Sequence, residues 1–151
     1  MRKFIIGFFL FFLGVQVMSA QKYFTKTGHI SFYSDTPLEK IEGHNKSSNC
    51  VLDVATGKLE VATLVKGFQF EKALMQEHFN ENYMESDKFP KAVFKGQIDN
   101  YSKLDISKNG KVTVKVSGDL TMHGVTKKVT TDAVVSINSG KIIADANLMF
   151  C

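Results

Sequence analysis

Residues 111–137, KVTVKVSGDLTMHGVTKKVTTDAVVSI, decide the fold class of this chain. Apolar and polar residues alternate along residues 111–122, and only Gly118 interrupts the pattern. The same alternation returns over residues 125–137, and residues 122–125 form the turn between the two runs. A period of two is that of a strand with one buried face. The stretch therefore predicts two antiparallel strands joined by a short turn.

Similar alternation occurs on both sides of this pair. Leu59, Val61 and Val65 share one parity, whereas Phe68 and Phe70 fall on the other. We expect a bulge at Gly67 that turns both rings back inward. Strands apolar on one face only exclude a parallel sheet covered by helices on both sides. About seven strands result, and those outside the central pair cover residues 28–34, 41–54, 59–70, 92–98 and 142–150.

A short helix is expected between the third and fourth strands, over residues 71–83. Met75, Phe79 and Tyr83 recur at positions i, i+4 and i+8, which makes one apolar stripe on such a helix. Pro90 ends the helical pattern, because it disfavours the helical conformation of the preceding residue and lacks an amide donor. We therefore expect the three stripe residues to point into the sheet and cover one end of it.

Two blocks carry a family resemblance: residues 77–96, EHFNENYMESDKFPKAVFKG, and residues 118–129, GDLTMHGVTKKV. Together they resemble the signature of the YceI-like family of bacterial secreted lipid-binding proteins, from about Tyr23 to the last residue. The resemblance implies a lipocalin-like, up-and-down β-barrel around an isoprenoid or other lipid tail. It also implies carriage of an apolar ligand, with no bond made or broken.

The residues alone predict an all-β, mainly antiparallel fold with one short helix. An antiparallel sheet with one apolar face must close on itself or pack against a second sheet. Periodicity allows both a barrel and a sandwich, and the resemblance favours the barrel. Many inward Val, Ala and Gly positions, in a chain without tryptophan, favour a cavity. A filled core remains the alternative on residue evidence.

The sequence differs from the family in the part of the chain that would close the barrel. Members usually continue past the segment that matches residues 141–150 into a further strand, whereas this sequence ends at Cys151. We therefore expect an incompletely closed barrel, whether from a truncated gene model or from a shortened protein. An exposed edge favours pairing with a second copy of the chain. We also expect Leu148 and Phe150 to be more exposed than Leu120 and Met122.

The first twenty residues predict export. Arg2 and Lys3 precede an apolar run that ends near small Ser19 and Ala20, as in a secretory signal peptide. We expect cleavage after Ala20, with cleavage after Ser19 as the alternative, and one periplasmic or secreted domain over residues 21–151. A retained membrane anchor competes with this interpretation, although the apolar run is shorter than the ~20 residues of a spanning helix.

The net charge limits the kind of macromolecule that the chain is expected to bind. The net charge of +4 is small and falls further when the two N-terminal basic residues are removed with the signal peptide, which argues against a nucleic-acid partner. Cys50 and Cys151 permit a disulfide in an exported chain. The other interpretation of Cys50 is a small half-buried side chain.

Sequence motifs of catalysis are absent: there is no HExxH, phosphate-binding glycine loop, Gly-x-Ser-x-Gly or paired cysteine motif. Glu77, His78 and Glu81 lie close enough on the helix for a weak metal site, but a solvated helix face fits them better. His123, in the turn between two strands, is expected either to donate to a ligand head group or to satisfy backbone carbonyls. We therefore predict no catalytic, metal or cofactor site.

The predicted function is a binding protein that holds an isoprenoid or other long-chain lipid in an apolar interior. An enzyme acting on a lipid or its head group, around His78 or His123, and a stress-related structural protein with a filled core are the alternatives. The predicted ligand-binding residues are the inward aromatic and apolar side chains and one turn histidine: Phe32, Phe68, Phe70, Phe79, Tyr83, Met84, Phe89, Phe94, Leu120, Met122 and His123.

Overall fold

One antiparallel sheet, curled into an open half-barrel, dominates the computed structural model of the protein, which describes residues 21–35, 37 and 40–147. The predicted all-β class with one short helix is confirmed. The strands run in the spatial order β1-β2-β3-β5-β6-β7-β8, and a short β4 pairs with β2 beyond the end of β3. Their bounds are β1 Lys22–Asp35, β2 Lys40–Asp53, β3 Lys58–Leu64, β4 Gln69–Phe70, β5 Lys91–Ile98, β6 Gly110–Met122, β7 Val125–Asn138 and β8 Lys141–Ala146.

The pair β6–β7 forms as its alternation predicts. Its register runs without irregularity from Gly110 opposite Ile137 to Met122 opposite Val125. The two-residue connection places His123 and Gly124 at φ angles of 51° and 71°. Positive φ at both central residues is typical of the tight turns that match the twist of a hairpin.

The chain between β3 and β4 differs from the predicted bulge. Val65–Gly67 forms a single 3-10 turn, and the Phe68 amide donates to the Val65 carbonyl at 3.2 Å. Asn45, which is fully buried, donates from its side chain to the Leu64 carbonyl at 3.0 Å. The turn brings Phe68 and Phe70 inward, so the inward placement is right although the predicted bulge is wrong.

The helix α1, Ala73–His78, continues into a π-helical turn, Phe79–Tyr83. The Met84 amide donates to the Phe79 carbonyl at 2.9 Å, the i→i+5 bond of a π turn. This wider turn rotates Tyr83 outward, where it is 63% exposed. The expectation that Tyr83 points into the sheet is therefore wrong, and Met84 packs against the core in its place.

Two clusters of buried residues lie on one face of the sheet, which we call the inner face. The helix-end cluster is built on Val65, Phe68 and Phe79, with Ile30, Phe70 and Met84 packed against it. The loop-end cluster is built on Ile98, Val116 and Ala133, and its partly buried neighbours are Leu52, Leu59, Phe94, Tyr101, Leu104 and Val114.

The sheet is open along one seam. Among the described residues, β1 and β8 pair only with β2 and β7 respectively, so each presents an unpaired edge. Leu148 and Phe150, which are predicted to be more exposed than Leu120 and Met122, lie outside the described residues. Within that described part of the chain, no helix has the length and apolar character needed to cross a membrane.

Candidate functional site

A row of half-buried side chains crosses the inner face between the two core clusters. Cys50 of β2 pairs with Val61 of β3, which pairs with Phe94 of β5, which in turn pairs with Leu120 of β6. All four are of intermediate exposure, in contrast to the buried residues at either end of the sheet. We call this row the inner belt. It forms a continuous apolar surface that the protein covers only in part.

Two paired glycines lie beside Phe94 in the belt. A Cβ atom on Gly96 would lie 2.5 Å from Phe94 Cζ, so the ring occupies the space that a side chain there would fill. Gly118 pairs directly with Gly96, and a Cβ on Gly118 would lie 2.3 Å from the Lys95 carbonyl oxygen. The two backbones thus approach closely beneath the ring. Glycine is required here for close approach.

The helix-end cluster closes one end of the belt with aromatic rings. The centroid of Phe79 lies 4.7 Å from that of Phe70, 5.6 Å from that of Phe68 and 6.0 Å from that of Phe32, all at tilted angles. Phe79 and Phe68 are buried, whereas Phe32 remains 40% exposed. Of these four rings, Phe32 is therefore the most exposed.

The two sequence blocks meet at the β6–β7 turn. His123 Nε2 lies 2.7 Å from a carboxylate oxygen of Glu85, and its ring packs edge-on against Phe89 with centroids 4.8 Å apart. Phe89 also fills the space where a Cβ on Gly124 would lie. The structure thus gives His123 a carboxylate partner from the segment after the helix.

The predicted ligand-binding residues lie in several parts of the structure. Met122 is on the inner face beside the turn and is 36% exposed, and Tyr83 lies apart on the outer side of the π turn. Cys50 and Val61 lie in the belt but were not among the predicted residues, although their strand parity was the available signal. The structure brings together Phe32, Phe68, Phe70, Phe79 and Met84 at the helix end, Phe94 and Leu120 in the belt, and Phe89 and His123 at the turn.

Cys50 contributes an apolar surface to the belt. Burial raises the pKa of its thiol, because the thiolate loses hydration. The neutral thiol is a small hydrophobic group. Cys151, with which the sequence permits a disulfide, lies outside the described residues.

A pocket of 820 Å³ lies at the loop end, outside the inner belt. Tyr101 forms part of its wall and donates from its hydroxyl to the Val54 carbonyl at 2.6 Å. Burial, and then the negative charge of Asp53, raises the pKa of this phenol. The polar loop residues around it, among them Asn100, Ser102 and Asp105, make this pocket a poor match for an apolar chain.

The acidic and histidine residues of the helix do not assemble a metal centre. Glu77 and Glu81 are exposed, and His78 is half-buried. Within the described ranges, no group of three or more His, Cys, Asp or Glu side chains is placed to share one ion.

An open antiparallel half-barrel with an apolar inner face and a helix over one end belongs to the lipocalin-like class of β folds. The sequence profile of the YceI-like domain matches residues 21–150. The chain therefore belongs to the YceI-like family, and the expectation from the two sequence blocks is confirmed.

Solved structures resemble the chain at low sequence identity, and the first of those named here shares its fold. A polyisoprenoid binding domain from Saccharophagus degradans, implicated in plant cell wall breakdown, is 14% identical with a TM-score of 0.69, over 83% of this chain and 73% of that one. Burkholderia cenocepacia BcnA is 15% identical with a TM-score of 0.46, over 82% and 65%. A Campylobacter jejuni YceI protein is 17% identical with a TM-score of 0.42, over 89% and 69%. No curated protein sequence matches the chain.

Proposed function

We propose that this protein is an exported carrier that holds an isoprenoid or other long-chain lipid against the inner face of its sheet. The observation that carries the proposal is the inner belt, a row of apolar side chains across four strands that the protein leaves half covered. Phe32 and Met122 extend this uncovered apolar surface toward the helix end and the β6–β7 turn. A flexible hydrocarbon chain is the ligand that such a surface fits.

The energetics favour an apolar ligand over a polar one. Each Å² of apolar surface removed from water contributes about 25 cal/mol, so a long chain gains affinity from its length alone. Binding of this kind needs few polar contacts. Membership of the YceI-like family supports the proposal, as does the fold shared with a domain described as polyisoprenoid binding.

Export is part of the proposal. The family match begins at residue 21, where cleavage after Ala20 would start the mature chain. N-terminal sequencing of protein recovered from the periplasm or the medium should therefore begin at Gln21. Recovery of an uncleaved chain in the membrane fraction would instead show a retained anchor.

Lipid binding is tested by native mass spectrometry of protein purified without detergent. The parent should carry a hydrocarbon ligand that organic extraction removes. Phe94→Asp should lose it, because a carboxylate in the belt must either keep its water or lie unpaired against the lipid. We expect at least a tenfold drop in the lipid-bound fraction.

The matched control is Val93→Asp, one residue earlier on β5 and on the opposite face of the sheet. Thermal melting of both variants separates loss of binding from loss of folding. Equal lipid retention by the folded Phe94→Asp and Val93→Asp proteins would contradict binding at the inner face. A parent without any extractable ligand, and without uptake of added polyprenol, would indicate a filled core.

The unpaired sheet edges support a homodimer as a further part of this proposal. Exposed strand edges carry free amides and carbonyls, which a second copy can satisfy.

A further inference from the structure

Two histidines and a serine lie together on the outer face of β1 and β2, opposite the inner belt. Ser31 pairs directly with His44 across the two strands, and His29 is the next residue of β1 on the same face. The preceding pair in the register, Ile30 and Asn45, faces inward, toward the helix-end cluster. We call His29, Ser31 and His44 the histidine cluster.

Two nitrogen atoms and one oxygen atom of this cluster form a nearly equilateral triangle. His29 Nε2 lies 3.1 Å from His44 Nδ1, and Ser31 Oγ lies 3.0 Å from His44 Nδ1 and 3.2 Å from His29 Nε2. His29 is exposed and the His44 side chain is 34% exposed. The triangle therefore faces water, and a hydrated ion can reach it.

The neighbours of His44 hold its ring in one orientation. Its Nε2 donates to Glu42 Oε1 at 2.6 Å, which leaves Nδ1, the atom within the triangle, with the lone pair. The Tyr33 ring packs edge-on against His44, with centroids 6.1 Å apart. A carboxylate on the far nitrogen of an imidazole is the usual support for a metal-binding histidine.

We propose that His29 Nε2, His44 Nδ1 and Ser31 Oγ bind a divalent transition-metal cation such as Zn²⁺, with water in the remaining positions. Donors about 2.1 Å from a metal lie about 3.0 Å apart in octahedral and about 3.4 Å apart in tetrahedral geometry. The three observed separations lie within that range. Imidazole nitrogens suit Zn²⁺, Cu²⁺ and Ni²⁺, whereas Mg²⁺ and Ca²⁺ prefer oxygen donors.

Competition for Zn²⁺ against a chromogenic chelator, on the metal-free expressed chain at neutral pH, tests the site. The parent should bind one Zn²⁺ per chain. His29→Ala and His44→Ala should each weaken binding at least tenfold, because each removes one of two imidazole ligands. Glu42→Gln should weaken it about tenfold, since supporting carboxylates contribute 10–100-fold to affinity.

Two matched variants keep the assignment specific. His78→Ala removes a histidine from the helix, and Cys50→Ser removes the thiol of the inner belt; both should bind Zn²⁺ like the parent. Parent-like affinity in folded His44→Ala would overturn the site, as would loss of binding in Cys50→Ser. Addition of Zn²⁺ should also shift the imidazole resonances of His29 and His44 while leaving those of His78 unchanged, and a shift at His78 alone would contradict the proposal.

Discussion

Phe79 lies where the helix meets the sheet, and it contacts three other phenylalanine rings there. It is 7% exposed and shares its cluster with Val65, which is fully buried. Truncation of such a residue removes its transfer free energy and leaves a cavity that the neighbouring rings fill only in part. This single side chain therefore holds the helix against the sheet.

Phe79→Ala should lower the free energy of unfolding by about 3–5 kcal/mol, the range for a large aromatic side chain truncated in a core. Chemical denaturation of the parent and the variant measures the difference. Tyr83→Ala is the matched control, since it removes a ring of similar size from the same π turn at a position 63% exposed. We expect a change within about 0.5 kcal/mol for the control. Similar losses in both variants would contradict the assigned packing.

Which residues of a strand face inward could be predicted, one residue at a time, from their alternation along the strand. Phe94 and Leu120 follow the alternation of their strands, and the sheet places both on the inner face. Tyr83 could not be placed correctly, because a helical stripe assumes 3.6 residues per turn and the π turn adds one. The contact between His123 and Glu85 could not be predicted either, because it joins residues 38 apart in the chain.

The segment between the π turn and β5 is attached to the β6–β7 turn by a small set of contacts. Glu85 and His123 both adopt positive φ, at 43° and 51°, and their side chains lie 2.7 Å apart. Asp87, in the same segment, forms an exposed ion pair with Lys66 at 2.6 Å. Exposed ion pairs contribute little to global stability. Their effect should therefore be local, on whether this segment stays closed over the end of the sheet.

His123→Asn should loosen the segment without unfolding the protein. Asparagine tolerates positive φ, so the turn is kept, while the contacts with Glu85 and Phe89 are lost. Hydrogen exchange measured by mass spectrometry should then be faster in peptides covering residues 79–90 and unchanged in β7. His78→Ala, which removes a histidine from α1 without touching this contact, is the control. Unchanged exchange in residues 79–90 would show that the pair does not hold the segment.

Secondary-structure elements that depend on residues adjacent in sequence could be predicted, whereas those that depend on distant residues could not. The β6–β7 hairpin follows from alternation and turn residues that are adjacent in sequence, and the sheet contains it. The 3-10 turn at Val65–Gly67 depends on Asn45 and Pro90, since the Val65 amide donates to the Pro90 carbonyl at 2.9 Å. These partners come from distant parts of the chain, so the parity change at Gly67 indicated an irregularity but not its form.

At the scale of the whole molecule, the two sheet edges that the described strands leave unpaired differ. β1 pairs with β2 through two register shifts, between Thr25 and Gly28 and between Gly28 and Ile30. Such irregularities twist an edge strand and oppose further pairing. β8 pairs regularly with β7 along all six of its residues. The seam itself was expected from the sequence, but the difference between its two edges was not, because it arises from pairing partners.

We predict that any dimer forms through β8 and not through β1. Backbone amides of β8 should exchange more slowly as protein concentration rises, while exchange in β1 stays constant. Light scattering on a size-exclusion column should show the matching change in mass. A monomer at all concentrations, with strong protection of β8, would show that this edge is covered in another way.

The irregular pairing of β1 has a consequence for assembly. If β8 can pair with a second copy of the chain and β1 cannot, two copies joined through their β8 strands leave only β1 strands at the outer edges. The association then stops at a closed pair with twofold symmetry. It cannot propagate into a cross-β filament, because that growth requires a receptive strand at both ends of every unit.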